Sequence, residues 1–443
     1  LCFARNKEKR VIRLHNHRFS NLLSLVAVAG ILLCLTSFAA AQTGTLISSL
    51  PHSLSGLIFD SAGNLYGTTD AGGNFSCGTG FGCGTVFELS PASGGGWTQT
   101  VLAIFNGGNH GIAPSSGLVF DAVGNLYGTT VQGGDYGICP FGCGVVFKVT
   151  RASNGTWTEK QIRLFTAGKD GAYPSGPVII DSQGNLYGTT SQGGQLGACG
   201  GLGCGTVFKL TPTSNTRVPW QLTLLHVFTG GADGSVPFGP LTLDAAGNLY
   251  GVTRGGGNFG TACGPGGCGV AFKLTAATGA WPETVLHTFV GTDGFEPNGG
   301  LVFDGSGNLY GTATGGGTPS WGVAFKLSHA GNIWRETTIY NFTGGSDGGN
   351  PISGLIFDSA GNLYGSSNGG FANGCDGSSA YCGQVFKLSP TTTGWKFDAQ
   401  YPTPFTWNPT PGALVRDSSG NIYGIANEDL FFEDGGGAYQ IIP

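Results

Sequence analysis

An all-β fold, a seven-bladed β-propeller of four-stranded antiparallel blades, is predicted by three observations: a repeat that recurs seven times, a composition hostile to long helices, and four short β-type segments in each repeat. The signature Asp-x-x-Gly-Asn-(Leu/Ile)-Tyr-Gly places its Asn at Asn64, Asn125, Asn185, Asn248, Asn308, Asn362 and Asn421, at spacings of 61, 60, 63, 60, 54 and 59. A period near 60 is one supersecondary unit per repeat. The 443 residues include 84 Gly and 21 Pro, which argues against helical bundles and coiled coils, and the Gly residues follow no three-residue collagen period. Charged residues are only 10%, yet hydrophobic residues reach 40% and aromatics 11%, too much core material for a disordered chain.

The first 41 residues differ in kind. Arg5, Lys7, Lys9, Arg10, Arg13 and Arg18 precede an apolar run from about Leu22 to Phe38, and Ala39, Ala40 and Ala41 precede Gln42. A basic front, an apolar stretch and small residues read as a secretory signal over residues 1–41, with residues 42–443 as one propeller domain. The apolar run also approaches spanning length, so an uncleaved anchor is the alternative. Cys34 follows Leu33, which disfavours lipoprotein cleavage, and a chain without Met that opens on Leu points to an unusual start or one further upstream. Removing six basic and one acidic residue with this segment leaves 14 basic against 24 acidic ones. Nucleic acid and anionic membrane surfaces are therefore not expected partners.

Within each repeat, segment a is Gly-Leu-Ile-Phe-Asp at residues 56–60 or Gly-Leu-Val-Phe-Asp at residues 117–121, and segment b is Asn-Leu-Tyr-Gly, as at residues 64–67. The Asp accepts backbone N–H bonds in the tight turn between them, and Gly three residues later supplies a positive φ. Segment c is Val-Phe-Lys-Leu or a relative, with Glu88 replacing Lys in the first repeat. Segment d runs from Trp to a Phe eight residues on: Trp97 to Phe105, Trp157 to Phe165, Trp220 to Phe228, Trp281 to Phe289 and Trp334 to Phe342. That even interval predicts both rings on one face of the strand. The last repeat has segments a to c, ending at residues 438–441, but no segment d, while residues 45–50 form a surplus strand before the first segment a. The N-terminal strand is thus expected to complete the last blade and remove two sheet edges.

The unit GLIFD-SAGNLYGTT, followed by a Gly pair, a Cys pair, VFKL and a Trp-initiated strand, resembles the Gloeobacter and Verrucomicrobia type tandem repeat of exported bacterial proteins, and it covers residues 45–443. The resemblance implies a β-propeller with varied surface anchors and no established activity. The chain departs from anchored members in showing no hydrophobic or sorting segment before Pro443, so no C-terminal attachment is expected. The Asp-x-x-Gly-Asn-Leu-Tyr hairpin is also distantly similar to that of NHL-type propellers, an analogy of fold only.

Ten cysteines fall in pairs between segments b and c of five repeats: Cys77 and Cys83, Cys139 and Cys143, Cys199 and Cys204, Cys263 and Cys268, Cys375 and Cys382. From the b-strand Tyr to the c-strand aromatic, Cys-bearing repeats span 20 to 22 residues, whereas the Cys-free ones span 15 and 16. The extra residues come with a staple, so five intra-blade disulfides are expected. Each would contribute roughly 2 kcal/mol on the chain-entropy estimate, in the oxidising setting that export provides. Zinc is disfavoured, because the intervals are irregular and no His accompanies them. No metal or cofactor is expected.

No HExxH motif or phosphate-binding loop is present. His226 and His287 recur at equivalent strand positions and read as half-buried strand residues, the repeated turn Asp residues as caps rather than calcium ligands, and the repeated Tyr residues as blade packing. The loops from segment d to the next segment a carry Asp170, Asp233, Asp293 and Asp347 at equivalent places, with His110 in the second repeat. In an up-and-down blade these loops share an end with the b-to-c loops, where Phe81, Tyr136, Phe141, Phe238, Phe259, Phe295, Phe371 and Tyr381 gather. Asp170, Asp233, Asp293, Asp347, His110, Phe81 and Phe141 are the candidate ligand-binding residues, around the channel mouth. The expected function is a non-catalytic, monomeric binding or scaffolding module, secreted, periplasmic or on the bacterial cell surface, holding a glycan, a peptide or another surface component. The alternative is a secreted propeller enzyme of lyase or glycoside hydrolase type acting on a polysaccharide or small cyclic substrate, which needs a close acid and base pair.

Overall fold

The structure, a computed structural model, describes residues 44–52, 55–78, 80–277, 279–331, 333–368, 383–403, 414–427 and 436–443. The expected export segment and the Cys375 and Cys382 pair, with Phe371 and Tyr381, lie outside the described residues. Seven antiparallel sheets are present, and in each the a, b, c and d strands are neighbours in that order. The first blade is typical: Ile58–Phe59, Leu65–Thr69, Thr85–Pro91 and Trp97–Ile104. Among the described residues there is no α-helix, only the 3-10 turns Gly108–His110 and Gly264–Gly266.

The ring closes as the sequence arithmetic required. Thr45–Leu50 pairs with Gly436–Ile441, Thr45 opposite Gln440 and Leu50 opposite Gly436, and so supplies strand d of the seventh blade. Leu50 and the half-buried Ile47 pack into a cluster with Leu65, Phe87 and Tyr423, which joins the last blade to the first.

Each Asp-x-x-Gly-Asn-Leu-Tyr turn is a closed hydrogen-bond unit. In the first blade Asp60 Oδ1 accepts the backbone N–H groups of Ala62 and Asn64 at 2.8 and 2.9 Å, while Oδ2 accepts Asn64 Nδ2 at 2.8 Å and the Tyr66 hydroxyl at 3.1 Å. Gly63 stands at φ 87°, the positive value this turn requires. Burial pushes the Asp60 carboxyl up, but the bonds from Asn64, Ala62 and Tyr66 outweigh it and hold the group below the usual carboxylate range. The same balance holds at Asp121, Asp181, Asp244, Asp304, Asp358 and Asp417. Those carboxylates are therefore occupied as turn caps.

The Gly that ends segment b is there for space. A Cβ on Gly67 would sit 2.7 Å from Phe87 Cζ, and the equivalent Gly128, Gly188, Gly251, Gly311 and Gly365 meet their own c-strand Phe at 2.5–2.6 Å. The ring crosses over the bare backbone and is wholly buried, which stabilises each blade by about 2–3 kcal/mol. Beside it, Lys148, Lys209, Lys273, Lys326 and Lys387 lie over the b-strand Tyr rings at 5.2–5.9 Å.

The expectation that Trp and Phe of strand d share a face is corrected. Trp97 packs edge-on against Tyr423 of the preceding blade at 5.8 Å, whereas Phe105 packs against Phe147 of the following blade at 4.9 Å. Trp220 with Tyr127 and Phe228 with Phe272 repeat the pattern. The cause is a β-bulge: Phe87 opposes Val101 but Val86 opposes Ala103, so Leu102 is an extra residue and inverts the alternation. The bulge recurs at the same register in the second to fifth blades. Strand d consequently clamps both neighbouring blades, Trp on one side and Phe on the other.

Candidate functional site

The d-to-a and b-to-c loops meet at one end of the propeller, joined by bridges such as Ile112 to Gln132 and Ala172 to Gln192. Four described disulfides lie there: Cys77–Cys83, Cys139–Cys143, Cys199–Cys204 and Cys263–Cys268, with Cα separations of 5.8, 5.2, 5.2 and 4.7 Å. The second cysteine of each pair also holds the next blade. Its carbonyl accepts the N–H of Ala113, Tyr173, Val236 and Glu296 in turn, at 2.8–3.1 Å. These four residues, with Asn350, have φ between 48° and 56°, and each precedes a Pro. Left-handed backbone at a non-glycine residue costs on the order of 1–2 kcal/mol. The loop is thus held in a conformation that it would not adopt alone.

In the fifth blade, which has no cysteine, Trp321 stands where the second cysteine would. Its carbonyl accepts the Asn350 N–H at 2.6 Å, and its indole fills space that a Cβ on Gly344 or Gly349 would invade.

Between the third and fourth blades, with Glu296 added from the fifth, these loops line an open cavity of about 840 Å³, within the ligand-binding range. Cys199, Val236, Arg254, Phe259, Cys263 and Glu296 line it. Arg254 Nη2 donates to Glu296 Oε2 at 3.0 Å, and its guanidinium stacks over Phe238 at 5.2 Å. Phe259 is 54% exposed and presents a flat apolar surface. Arg254 and Glu296 are 38% and 42% exposed, so their pairing costs little to open.

The sequence-selected residues distribute unevenly about this cavity. Asp170 accepts from Arg163 Nη2 at 2.5 Å and from Thr166, Asp233 from the Thr229 hydroxyl and N–H, and Asp293 from His287 Nε2 and the Val290 N–H at 2.9 and 2.8 Å. Asp347 accepts from the Tyr340 hydroxyl at 2.8 Å and from Thr343. Burial pushes Asp293 up, but its bonds to His287 and Val290 win and hold it below the usual range. His110 Nδ1 lies 2.6 Å from Glu159, whose carboxyl burial pushes up. All four Asp residues shape their own loops, and none lines the cavity. Phe81 and Phe141 are 60% and 65% exposed on the first and second blades, away from the lining.

Sequence reasoning passed over Arg254 and Glu296. The available signal was departure from the repeat: Arg254 lies in its b strand at the place where other repeats have Asp70, Val131 or Ser191, and Glu296 occupies the pre-proline place of Ala113 and Tyr173.

The Gloeobacter/Verrucomicrobia repeat matches over residues 53–263 and 260–442. No curated protein matches the chain. Among solved structures, a luciferin-regenerating enzyme is similar at 13% identity and TM-score 0.44, covering 74% of this chain and 91% of its own. A family 25 polysaccharide lyase, an ulvan lyase bound to -[GlcA(1-4)Rha3S]-, is similar at 10% and 0.47, covering 91% and 95%. A putative oxidoreductase (glucose dehydrogenase) from Thermus thermophilus is similar at 15% and 0.39, covering 73% and 93%. Identities this low do not transfer an activity.

Proposed function

Because the chain belongs to the Gloeobacter/Verrucomicrobia repeat family, we propose that it is an exported binding module of the cell surface or extracellular space, which holds a glycan or peptide in the cavity between its third and fourth blades. The observation that carries this reading is the cavity itself, where two disulfide-pinned loops bring together an exposed aromatic surface at Phe259 and the Arg254–Glu296 pair. An aromatic face stacks on a sugar ring or an apolar side chain, and the guanidinium and carboxylate offer directed hydrogen bonds. Pinned loops lose less entropy on binding. The four described disulfides support export to an oxidising compartment.

Binding is favoured over catalysis, because Glu296 is the one carboxylate among the described lining residues and it is paired with Arg254. Glycan and peptide arrays probed with the disulfide-intact protein test the reading. The expected result is a ligand whose affinity falls about tenfold or more in Arg254→Ala and Phe259→Ala, a loss of ~1.4 kcal/mol or more. Unchanged affinity in both variants would overturn it.

A further inference from the structure

Beside the cavity, the outer strands of neighbouring blades bring a second set of side chains together. His226 lies on Trp220–Val227 of the third blade, Asp233 on the loop that follows, and Glu283 on Glu283–Thr288 of the fourth blade. Their ligand atoms lie within 4.8 Å of one another. His226 Nε2 stands 3.5 Å from Asp233 Oδ2 and 3.7 Å from Glu283 Oε2, too far for good hydrogen bonds. His226 Nε2 and Glu283 Oε1 are both buried with no hydrogen-bond partner. Burial without a partner is costly, so a buried imidazole nitrogen and a carboxylate left short of partners beside each other call for something to sit between them.

We propose that His226, Asp233 and Glu283 form a divalent transition-metal site, fitted to zinc, that ties the outer strands of the third and fourth blades together. One imidazole nitrogen and two carboxylate oxygens are a zinc donor set, with the fourth position left to water. A tetrahedral ion with bonds of about 2.0–2.1 Å sets its ligand atoms about 3.3–3.4 Å apart, close to the two separations found here. Phe228 packs edge-on against the His226 ring at 4.6 Å and fixes its plane.

The equivalent set one blade on serves as an internal control. His287, Asp293 and Glu336 also converge, but His287 Nε2 bonds Asp293 directly at 2.9 Å and Glu336 accepts the Thr338 hydroxyl at 3.0 Å. That set satisfies itself, and the proposal does not extend to it.

The disulfide-intact protein, stripped with chelator and titrated with zinc chloride by calorimetry, gives the test, with melting followed with and without zinc. One zinc per chain and a raised melting temperature are expected. Affinity falls by about tenfold or more in His226→Ala and in the near-isosteric Glu283→Gln, while His287→Ala binds as the parent does. Should His226→Ala fail to fold, Glu283→Gln decides. No zinc uptake by the parent, undiminished uptake by Glu283→Gln, or loss of uptake in His287→Ala would each overturn the site.

Discussion

The two ends of the propeller are built from the same repeat and have diverged in opposite ways. At one end stand the Asp-x-x-Gly-Asn turns, in which one carboxylate accepts backbone, Asn and Tyr donors in blade after blade. At the other end the loops differ in length and sequence and are held by disulfides, by Trp321, and by the carbonyl that each passes to its neighbour. Where a side chain recurs unchanged it serves the fold, since every blade poses the same packing problem. Where one position breaks ranks, as at Arg254 and Glu296, packing no longer explains the residue.

The largest effect tests what both ends share. Deleting residues 42–50 removes the closing strand, exposes the edge of Gly436–Ile441 and uncovers the Leu65, Phe87 and Tyr423 cluster that Leu50 and Ile47 pack against. A loss on the order of 5 kcal/mol is expected from the lost apolar burial and ladder bonds. Thermal melting measures it, and an unchanged melting temperature would break the closure account.

Next comes the turn end. Asp121→Ala leaves the Asn125 and Tyr127 donors and two backbone N–H groups without their acceptor, at a cost of about 2–4 kcal/mol. Ligand affinity should stay unchanged, because the turn lies at the opposite end. The same turns set an acid limit. Their folded pKa values lie below the ordinary 3.8, so the stability they contribute is complete above that value and is lost as pH falls through the lowered ones. Denaturant melts between about pH 5 and pH 2 should therefore show falling stability, less so in Asp121→Ala.

A smaller effect belongs to the stapled end. Replacing Cys199 and Cys204 by Ser should cost roughly 2 kcal/mol, and here affinity for an array-identified ligand should fall with it, since Cys199 lines the cavity and the Cys204 carbonyl holds Val236. Smallest of all, Phe81→Ala together with Phe141→Ala should change stability by less than about 0.5 kcal/mol, because both rings are exposed. Their effect on binding separates a ligand confined to the cavity from one spread across the loop end.

Much of this was legible in the sequence because repetition multiplies weak signals. Seven copies of one turn revealed the period, and a surplus strand at one end with a missing one at the other revealed the closure. Four of the five expected disulfides lie among the described residues and are present. The bulge at Leu102 was hidden, since an extra residue within a continuous strand leaves the eight-residue interval from Trp97 to Phe105 intact while reversing the second ring. The inward turn of Asp170, Asp233, Asp293 and Asp347 was hidden too. A loop Asp reads alike whether it faces solvent or caps its own Thr, and only the fold brings Arg163 or Tyr340 within reach.

The carbonyl that each second cysteine extends to the following blade gives the ring a direction. Among the described residues the first five repeats each offer such an acceptor and the second to sixth each receive it, through Ala113, Tyr173, Val236, Glu296 and Asn350 in succession. A unit with such matched halves is interchangeable: duplicated, deleted or moved whole, it rejoins its neighbours through the same seam, whatever its own loop contains. The fifth repeat, with Trp321 in the cysteine's place, keeps that seam. Gene duplication can thus lengthen or diversify such a chain without redesigning its joints, and selection remains free to work on one sector of the rim at a time.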